Sequence, residues 1–383
     1  IFDRYNFTIN ENEPLEQDVA IDPEMLGKIF ENLLDVTDRK SKGAYYTPRE
    51  IVHYMCQESI INYLVNKVNV PYDDIKQFII YGELIRDADN RSNVGFGTQL
   101  TIKQSVLEHI VDIDQALENI KIADPAVGSG AFPLGMLNEI VRARNNITEY
   151  IVKIAKKDPN RKYLEQNIRK QRSLYKIKWN TIKNSIFAVD IEASAVDITK
   201  LRLWLSMVVE QEIDEDNREP QTLPNLDMNI HVGNSLVSNY KGIKLFDRSM
   251  LVSNKIRKNS SNQLSYLFFN SDEVIDKLTN KKLQYYEENN RQKKRDLKDE
   301  IGILSDELII HRLTETGNEK FIPEYNKIKD AKSKPFFIWE LEFIQVFKNN
   351  GGFDVIIGNP PYVKEYTNKK VFEPLKNNKY YQG

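Results

Sequence analysis

The apolar and polar residues of this chain alternate between long helical repeats and short apolar runs. Apolar residues recur at helical spacing in stretches that predict helices at 22–34, 49–65, 105–119, 131–144 and 193–209. Short apolar runs between them predict buried strands at 120–123, 186–190, 229–232 and 355–357. Strands that alternate with helices are typical of an α/β fold with a parallel sheet.

Residues 241–334 interrupt this alternation. Leucine and isoleucine stand there among dense Lys, Glu and Asn, and the pattern predicts a long helical hairpin inserted before the last strand. Its apolar heptads are too few for a true coiled coil. The sequence leaves open whether this insertion contacts DNA, contacts a partner or does neither.

The composition excludes several classes of protein. No run of eighteen apolar residues exists, so we predict no membrane span. One cysteine, Cys56, and four histidines exclude a disulfide scaffold and a Cys/His zinc site, predict no metal and fit a cytoplasmic protein. The chain begins with Ile1 and has no signal peptide, so we expect a piece of a longer protein.

The net charge of −2 does not indicate a nucleic-acid binder, but the charge is unevenly distributed. Residues 151–185 carry eleven Lys and Arg against two acids, Asp158 and Glu165. Such a basic stretch fits either local phosphate contact or a solvated helix face, and the sequence does not decide between them.

Candidate ligand-binding residues stand at predicted strand ends. Gly128 and Gly130 follow Asp124, and two glycines there permit a tight turn and a close backbone approach to a ligand. A dinucleotide fingerprint needs a third glycine where this chain has Pro133, which disfavours NAD. Asp190 ends the second strand, where an acid is placed to bind both hydroxyls of a ribose.

A capping box is predicted at the helix that begins near residue 48. Thr47 and Glu50 have the spacing of that motif, and Pro48 suits the first helical position. The unpaired N–H groups of such a helix end would also receive a carboxylate.

The most specific chemistry lies at the end of the last predicted strand, in the sequence Asn359-Pro360-Pro361-Tyr362. Two prolines make a stiff loop after the strand. The Asn359 side-chain oxygen and the Pro360 carbonyl would accept the hydrogens of a planar NH2 group. These two hydrogen bonds would localise the lone pair on the nitrogen and stabilise the positive charge that develops on that nitrogen as it attacks. The Tyr362 ring would stack on the substrate.

These motifs, in this order, resemble those of gamma-group adenine-specific DNA methyltransferases, in particular the methylase part of type IIG restriction–modification enzymes. The carrying segments are Tyr45-Tyr46-Thr47-Pro48-Arg49, the loop 124–130, Asp190 and Asn359-Pro360-Pro361-Tyr362, with the aromatic stretch 335–343 before the last strand. In two positions the chain departs from the family, with Val127 for a usual cysteine and Asn234 for a usual aspartate.

The resemblance implies a Rossmann-like sheet that binds S-adenosylmethionine and methylates the exocyclic amine of an adenine flipped out of double-stranded DNA. It implies Asn359, Pro360, Pro361 and Tyr362 as catalytic residues. It implies cofactor contacts for Tyr46, Thr47, Asp124, Ala126, Gly128, Gly130, Asp190, Ile191 and Asn234.

Four regions follow from this assignment: an N-terminal helical segment (1–42), a cofactor-binding core (43–240), the helical insertion (241–334) and the catalytic strand with its motif (335–383). Members of the family continue with further strands and a target-recognition domain. We therefore expect the strand at 355–357 to lie at a sheet edge or beside a partner, and we expect little site-specific methylation from this chain alone.

Two other functions remain open at this stage. The Asn-Pro-Pro-Tyr motif also serves methylation of a glutamine side-chain amide in a protein. A different class is a cofactor-binding scaffold without catalysis in a restriction or phage-defence complex.

Overall fold

The computed structural model of the chain describes residues 6–8, 18–20, 27, 47–92, 101–155, 161–210, 225–246, 250–251, 271–288, 290–329, 331, 334, 336–362 and 373–376. The helices of eight residues or more there are α1 (Arg49–Lys67), α2 (Tyr72–Ser92), α4 (Ile110–Asn119), α5 (Ala131–Ala155), α6 (Arg161–Gln171), α7 (Leu174–Ser185), α8 (Ala193–Val208), α9 (Ser271–Glu287) and α10 (Arg291–Glu315). Shorter α-helices are α3 (Gln104–Glu108), α11 (Ile322–Ile328), α12 (Trp339–Glu342) and α13 (Ile344–Asn350).

The described strands are β1 (Asn6–Thr8), β2 (Asp18–Ala20), β3 (Ile122–Asp124), β4 (Ile186–Asp190), β5 (Ile230–Val232), β6 (Asn239–Tyr240), β7 (Ile243–Lys244) and β8 (Val355–Ile356). A four-stranded sheet has the order β5-β4-β3-β8. β3 pairs in parallel with β4 and with β8, and Ile122 lies opposite Ile186 on one side and Val355 on the other. Within the described residues β8 stands at one end of this order, as the sequence predicts.

The chain divides into two compact units. The first comprises Ile1–Ala188, Asp197–Pro224 and Asp354–Pro360, and the second comprises Val189–Val196, Asn225–Phe353 and Pro361–Gly383. No helix among the described residues is both long enough and apolar enough to cross a membrane.

In the first unit, the helix that follows β3 is the central packing element. α1 packs against α5 at Gly135, where an added Cβ would lie 2.6 Å from Val52 Cγ1 and 3.0 Å from Cys56 Sγ. A glycine is therefore needed for these two helices to approach so closely.

A buried ionic network also ties this unit together. Arg144 Nε donates to Asp114 Oδ1 at 3.0 Å, and Arg172 Nη1 donates to Asp114 Oδ2 at 2.6 Å. Burial alone would raise the pKa of Asp114, but hydrogen bonds from Arg172 and Arg144 and their positive charges lower it. The network joins α4, α5 and the segment after α6.

The second unit has its own core, built around the hairpin of α9 and α10. The core side chains come from both helices, from the segment 228–246, from Tyr325 of α11 and from residues 336–344. Lys282 of α9 is completely buried, and its Nζ donates to Leu341 O at 3.0 Å and Glu342 O at 2.6 Å, at the end of α12. This lysine therefore satisfies carbonyls that a short helix leaves unpaired.

Several predicted elements need correction. The helix predicted at 105–119 is two helices, α3 and α4, because the chain turns at His109, whose ring Nδ1 hydrogen-bonds Ser105 O. α2 was not predicted, and α5 continues beyond residue 144 to Ala155. The hairpin predicted within 241–334 is confirmed as α9 and α10. The helix predicted at 22–34 lies outside the described residues except for Gly27, which is helical.

Candidate active site

The loop after β3 has the tight geometry that its glycines predict. Gly128 and Gly130 have φ angles of +53° and +85°, which favour glycine over other residues. Thr199 Oγ1 donates to Gly128 O at 3.1 Å, and a Cβ on Gly130 would lie 2.9 Å from that same hydroxyl oxygen. No described atom lies within 4 Å of the place where a Cβ on Gly128 would stand, so there is open space beside this part of the loop.

Asp124 ends β3 and is 1% exposed. Its Oδ1 accepts a hydrogen bond from Ala126 N at 3.0 Å, which fixes the start of the glycine loop. Burial and this bond hold the carboxylate in one orientation.

The end of β8 lies directly against Asp124. Ile357 N donates to Ala123 O at 3.0 Å, and a Cβ on Gly358 would stand only 2.6 Å from Asp124 Oδ1. Only a residue without a side chain permits this approach. The structure therefore brings the Asn359 loop beside the first strand end, from a position far along the sequence.

Asn359 is half-buried, and its side chain contacts the segment before α1. Asn359 Nδ2 donates to Thr47 Oγ1 at 3.1 Å. The predicted capping box is wrong: α1 begins at Arg49, Pro48 is the N-cap residue, and no side chain among the described residues caps it. Because Pro48 occupies the cap position, Thr47 lies outside the helix and its hydroxyl oxygen accepts from Asn359 instead.

A small cavity of about 190 Å³ lies between α1 and α5 beside Thr47. Glu139 of α5 is buried there, where it forms short contacts with His53 and Arg142 and accepts from Gln57 Nε2 at 3.3 Å. Burial raises the pKa of Glu139, against the opposing charges of Arg142 and His53. This cluster ties the first turns of α1 to α5.

The sequence did not predict the cluster of His53, Glu139 and Arg142, because its members are far apart along the chain and each reads as an ordinary polar helix residue. The one available signal was the helical spacing of His53 and Gln57, which puts both on one face of α1.

The second unit contains the other predicted cofactor residues. Asp190 is the last residue of β4, its Oδ1 accepts from Glu192 N at 2.9 Å, and its carbonyl accepts from Gly233 N at 2.8 Å. Asn234 follows β5, and its Oδ1 accepts from Leu236 N at 3.2 Å. The structure therefore brings the segments of Asp190 and Asn234 together, while Ile191 is 56% exposed.

Aromatic residues hold the Asn234 turn in place, and sequence reasoning noted them only by resemblance. Trp339 Nε1 donates to Ser235 O at 3.0 Å, and Phe337 N donates to Val237 O at 2.7 Å. The Phe337 ring also packs on Gly233, where a Cβ would lie 2.6 Å from a ring carbon. Contacts at three alternate residues, Gly233, Ser235 and Val237, therefore hold the turn in place.

Three predicted residues are not tied to these arrangements. Tyr46 lies outside the described residues. Pro361 and Tyr362 belong to the second unit, both are exposed, and the Tyr362 side chain is 82% exposed.

Comparison with known proteins defines the class. Residues 184–383 match the family of the Eco57I restriction-modification methylase. That match covers more than half of the chain, and the chain therefore belongs to this family of restriction–modification methylases.

A protein of Methanocaldococcus jannaschii, named as a putative type II restriction enzyme and methyltransferase, RM.MjaORFECS2P, is 28% identical over 401 residues. The alignment covers 94% of this chain and 31% of that protein, so the chain spans about a third of its relative's length. No solved structure matches the chain.

Proposed function

We propose that the chain is the methyltransferase part of a restriction–modification or phage-defence protein and that it transfers a methyl group from S-adenosylmethionine to the exocyclic amine of an adenine in double-stranded DNA. The observation that carries the proposal is the position of Asn359. Its half-buried amide is hydrogen-bonded to Thr47 while the preceding glycine abuts Asp124 at the end of β3.

The acceptors of this loop fit a planar amine. Asn359 Oδ1 and the Pro360 carbonyl oxygen are acceptors only, and together they would accept one hydrogen bond from each N–H of an NH2 group. Their partial negative charge would stabilise the positive charge that grows on the attacking nitrogen. The exposed Tyr362 ring is available for stacking on a base. The adenine must leave the duplex for its amine to reach such a loop.

The residues also fit the cofactor. S-adenosylmethionine supplies a methyl group on a sulfonium sulfur, a donor that is reactive without further activation. Gly128 and Gly130, with the backbone open beside Gly128, are suited to close contact with it. By the resemblance, Asp190 binds the ribose hydroxyls and Asn234 the adenine of the cofactor. Tyr46, Thr47, Asp124, Ala126 and Ile191 complete the proposed set.

The strand order supports a Rossmann-like sheet. If the four described strands of the larger sheet, β3, β4, β5 and β8, are numbered 1 to 4 along the chain, their order across the sheet is 3-2-1-4. Doubly wound sheets have this strand order, and they bind ligands at the carboxyl ends of their strands.

The decisive test is methyl transfer from labelled S-adenosylmethionine to plasmid DNA from a methylation-deficient host, with digestion to nucleosides and mass spectrometry. We expect label in N6-methyladenine, at a low rate and with little site preference. Asn359→Ala should lower the rate by about 10²- to 10³-fold, because one charge-stabilising acceptor is lost. Asp190→Ala should weaken cofactor binding.

The alternatives predict different results. Label in a glutamine-containing protein acceptor and none in DNA would establish the protein amide methyltransferase. Cofactor binding by the intact chain without methyl transfer to either acceptor would leave the cofactor-binding scaffold. Membership in the restriction–modification methylase family favours DNA over both.

A further inference from the structure

We propose that Thr47 is a positioning residue that orients the Asn359 carboxamide for catalysis. The proposal rests on the proposed function and assigns to Thr47 a role beyond contact with the cofactor. The structural basis is the hydrogen bond from Asn359 Nδ2 to Thr47 Oγ1, at 3.1 Å across 312 positions of sequence.

The two ends of a carboxamide, its oxygen and its NH2 group, are similar in size but have opposite roles in hydrogen bonding. Its oxygen accepts hydrogen bonds and its nitrogen donates them, and rotation by about 180° about the last side-chain torsion exchanges the two. A substrate NH2 group is bound only by the oxygen. If the amide nitrogen faced the substrate instead, two donors would oppose each other and the amine would not be activated. A neighbouring group must therefore hold the Asn359 amide with its oxygen end toward the substrate.

In the structure the Thr47 hydroxyl holds one of these two arrangements. Its oxygen accepts from Nδ2, which keeps the nitrogen toward Thr47 and leaves Oδ1 at the opposite end of the planar amide. Thr47 serves the amide because its hydroxyl does not cap α1, where Pro48 is the N-cap residue.

Thr47 itself is held by a closed chain of contacts within the first unit. Pro48 O accepts from Ile51 N at 3.0 Å and from Val52 N at 3.1 Å, so the segment is continuous with the first turn of α1. Val52 packs on Gly135 of α5, and α5 begins directly after the glycine loop that follows Asp124.

The same chain of contacts returns to Asn359 from the other direction. Asp124 abuts Gly358, the residue before Asn359, and Glu139 secures α5 to His53 of α1. Asn359 is thus fixed at its backbone by the strand ends and at its side chain by Thr47. Removing the hydroxyl would free only the second of these, which makes the role separable from folding.

The test compares Thr47→Val, which keeps the shape of the side chain but removes the hydroxyl, with Thr47→Ser, which keeps the hydroxyl. Thr101→Val, at an exposed position before α3, is the matched control. Methyl transfer to plasmid DNA at saturating cofactor gives the rate constant, and calorimetry with S-adenosylmethionine gives the affinity. A second readout is the side-chain 15N amide resonance of Asn359, assigned by its loss in Asn359→Asp.

We expect Thr47→Val to lower the rate constant at saturating cofactor on the order of 10- to 100-fold, because the acceptor is no longer held in the productive geometry. Because the rate constant is taken at saturation, a change in cofactor affinity is measured separately and does not account for this loss. We expect Thr101→Val to keep the rate, and we expect Thr47→Ser, which retains the acceptor oxygen, to recover most of the rate that Thr47→Val loses. The Asn359 amide resonance should shift in Thr47→Val and stay in place in Thr47→Ser.

An unchanged rate constant in Thr47→Val, or an affinity loss with an unchanged rate constant, would overturn the proposal and leave Thr47 as a cofactor contact alone. If the wild-type chain methylates no DNA, the proposed function fails, and the amide resonance still decides whether Thr47 orients Asn359. A resonance that does not move in Thr47→Val overturns the proposal in that case also.

Discussion

Gly358 lies where the ends of β3 and β8 come closest, and its replacement by alanine tests the geometry of the candidate site directly. A Cβ there would stand 2.6 Å from Asp124 Oδ1, 3.3 Å from Asp124 Cγ and 3.4 Å from Pro125 Cδ. The Asp124 side chain cannot readily move aside, because it is 1% exposed and its Oδ1 also accepts from Ala126 N. The end of β8 must therefore move away.

The size of the effect follows from these distances. The new methyl group would be about 0.8 Å short of ordinary contact with the carboxylate oxygen. Overpacking of this kind costs about 1–3 kcal/mol, with ~1 kcal/mol more if the Ala126 hydrogen bond breaks. With a urea slope of ~2 kcal/mol per molar, a loss of ~2 kcal/mol lowers the unfolding midpoint by about 1 M. Displacement of Asn359 should lower methyl transfer about 100-fold.

Urea unfolding followed by circular dichroism checks the stability, and labelled methyl transfer checks the activity. The control is Gly302→Ala in α10, where no described atom lies within 4 Å of the added carbon and the backbone is helical. That substitution should stabilise by about 0.5–1 kcal/mol. A midpoint and a transfer rate for Gly358→Ala equal to those of the wild-type chain would refute the close approach of the two strand ends.

Two further predictions concern the cores. Asp114→Asn should destabilise the chain by about 3 kcal/mol, because it removes the carboxylate that the buried Arg144 shares with Arg172 and leaves Arg144 only its ion pair with the more exposed Glu118. Because the folded-state pKa of Asp114 is lowered, its contribution is present above its unfolded pKa and is lost as pH falls through its folded pKa; the variant should lack this acid dependence. Trp339→Phe removes the donor to Ser235 O and should weaken S-adenosylmethionine binding by about 1 kcal/mol, roughly fivefold.

Each of these has a clear contrary result. Urea midpoints measured from neutral to acid pH that decline equally in Asp114→Asn and wild type would show that the Asp114 carboxylate does not carry the dependence. Trp179→Phe is the matched control for Trp339→Phe, since Trp179 belongs to the first unit and stacks under Lys183. Equal cofactor affinity in the two tryptophan variants would contradict a role for Trp339 in the Asn234 turn.

The sequence predicted the strand ends well because their signal is local. A short apolar run before Asp124, Asp190 or Asn359 identifies a buried strand, and parallel strands bring their carboxyl ends to one edge of a sheet. The helical hairpin was equally visible from its spacing. Such patterns need no knowledge of the rest of the chain.

Elements that depend on distant residues were not predictable in this way. α2 carries many charged and polar residues, so its apolar face is diluted, and it is stabilised by packing on α1 and α5. The capping box failed because Thr47 has a distant partner in Asn359, which no local pattern reveals. The grip of Trp339 on Ser235 is hidden for the same reason, since 104 positions separate them.

The pairing of β8 with β3 has a consequence for synthesis of the protein. β3 lies between β4 and β8, and the second of these neighbours is encoded more than two hundred codons after β3. A nascent chain on the ribosome therefore carries one unsatisfied edge of β3 until residues 355–357 have left the exit tunnel. A product truncated before residue 355 would therefore lack both the strand that pairs with this edge of β3 and the loop that we propose to bind the substrate amine.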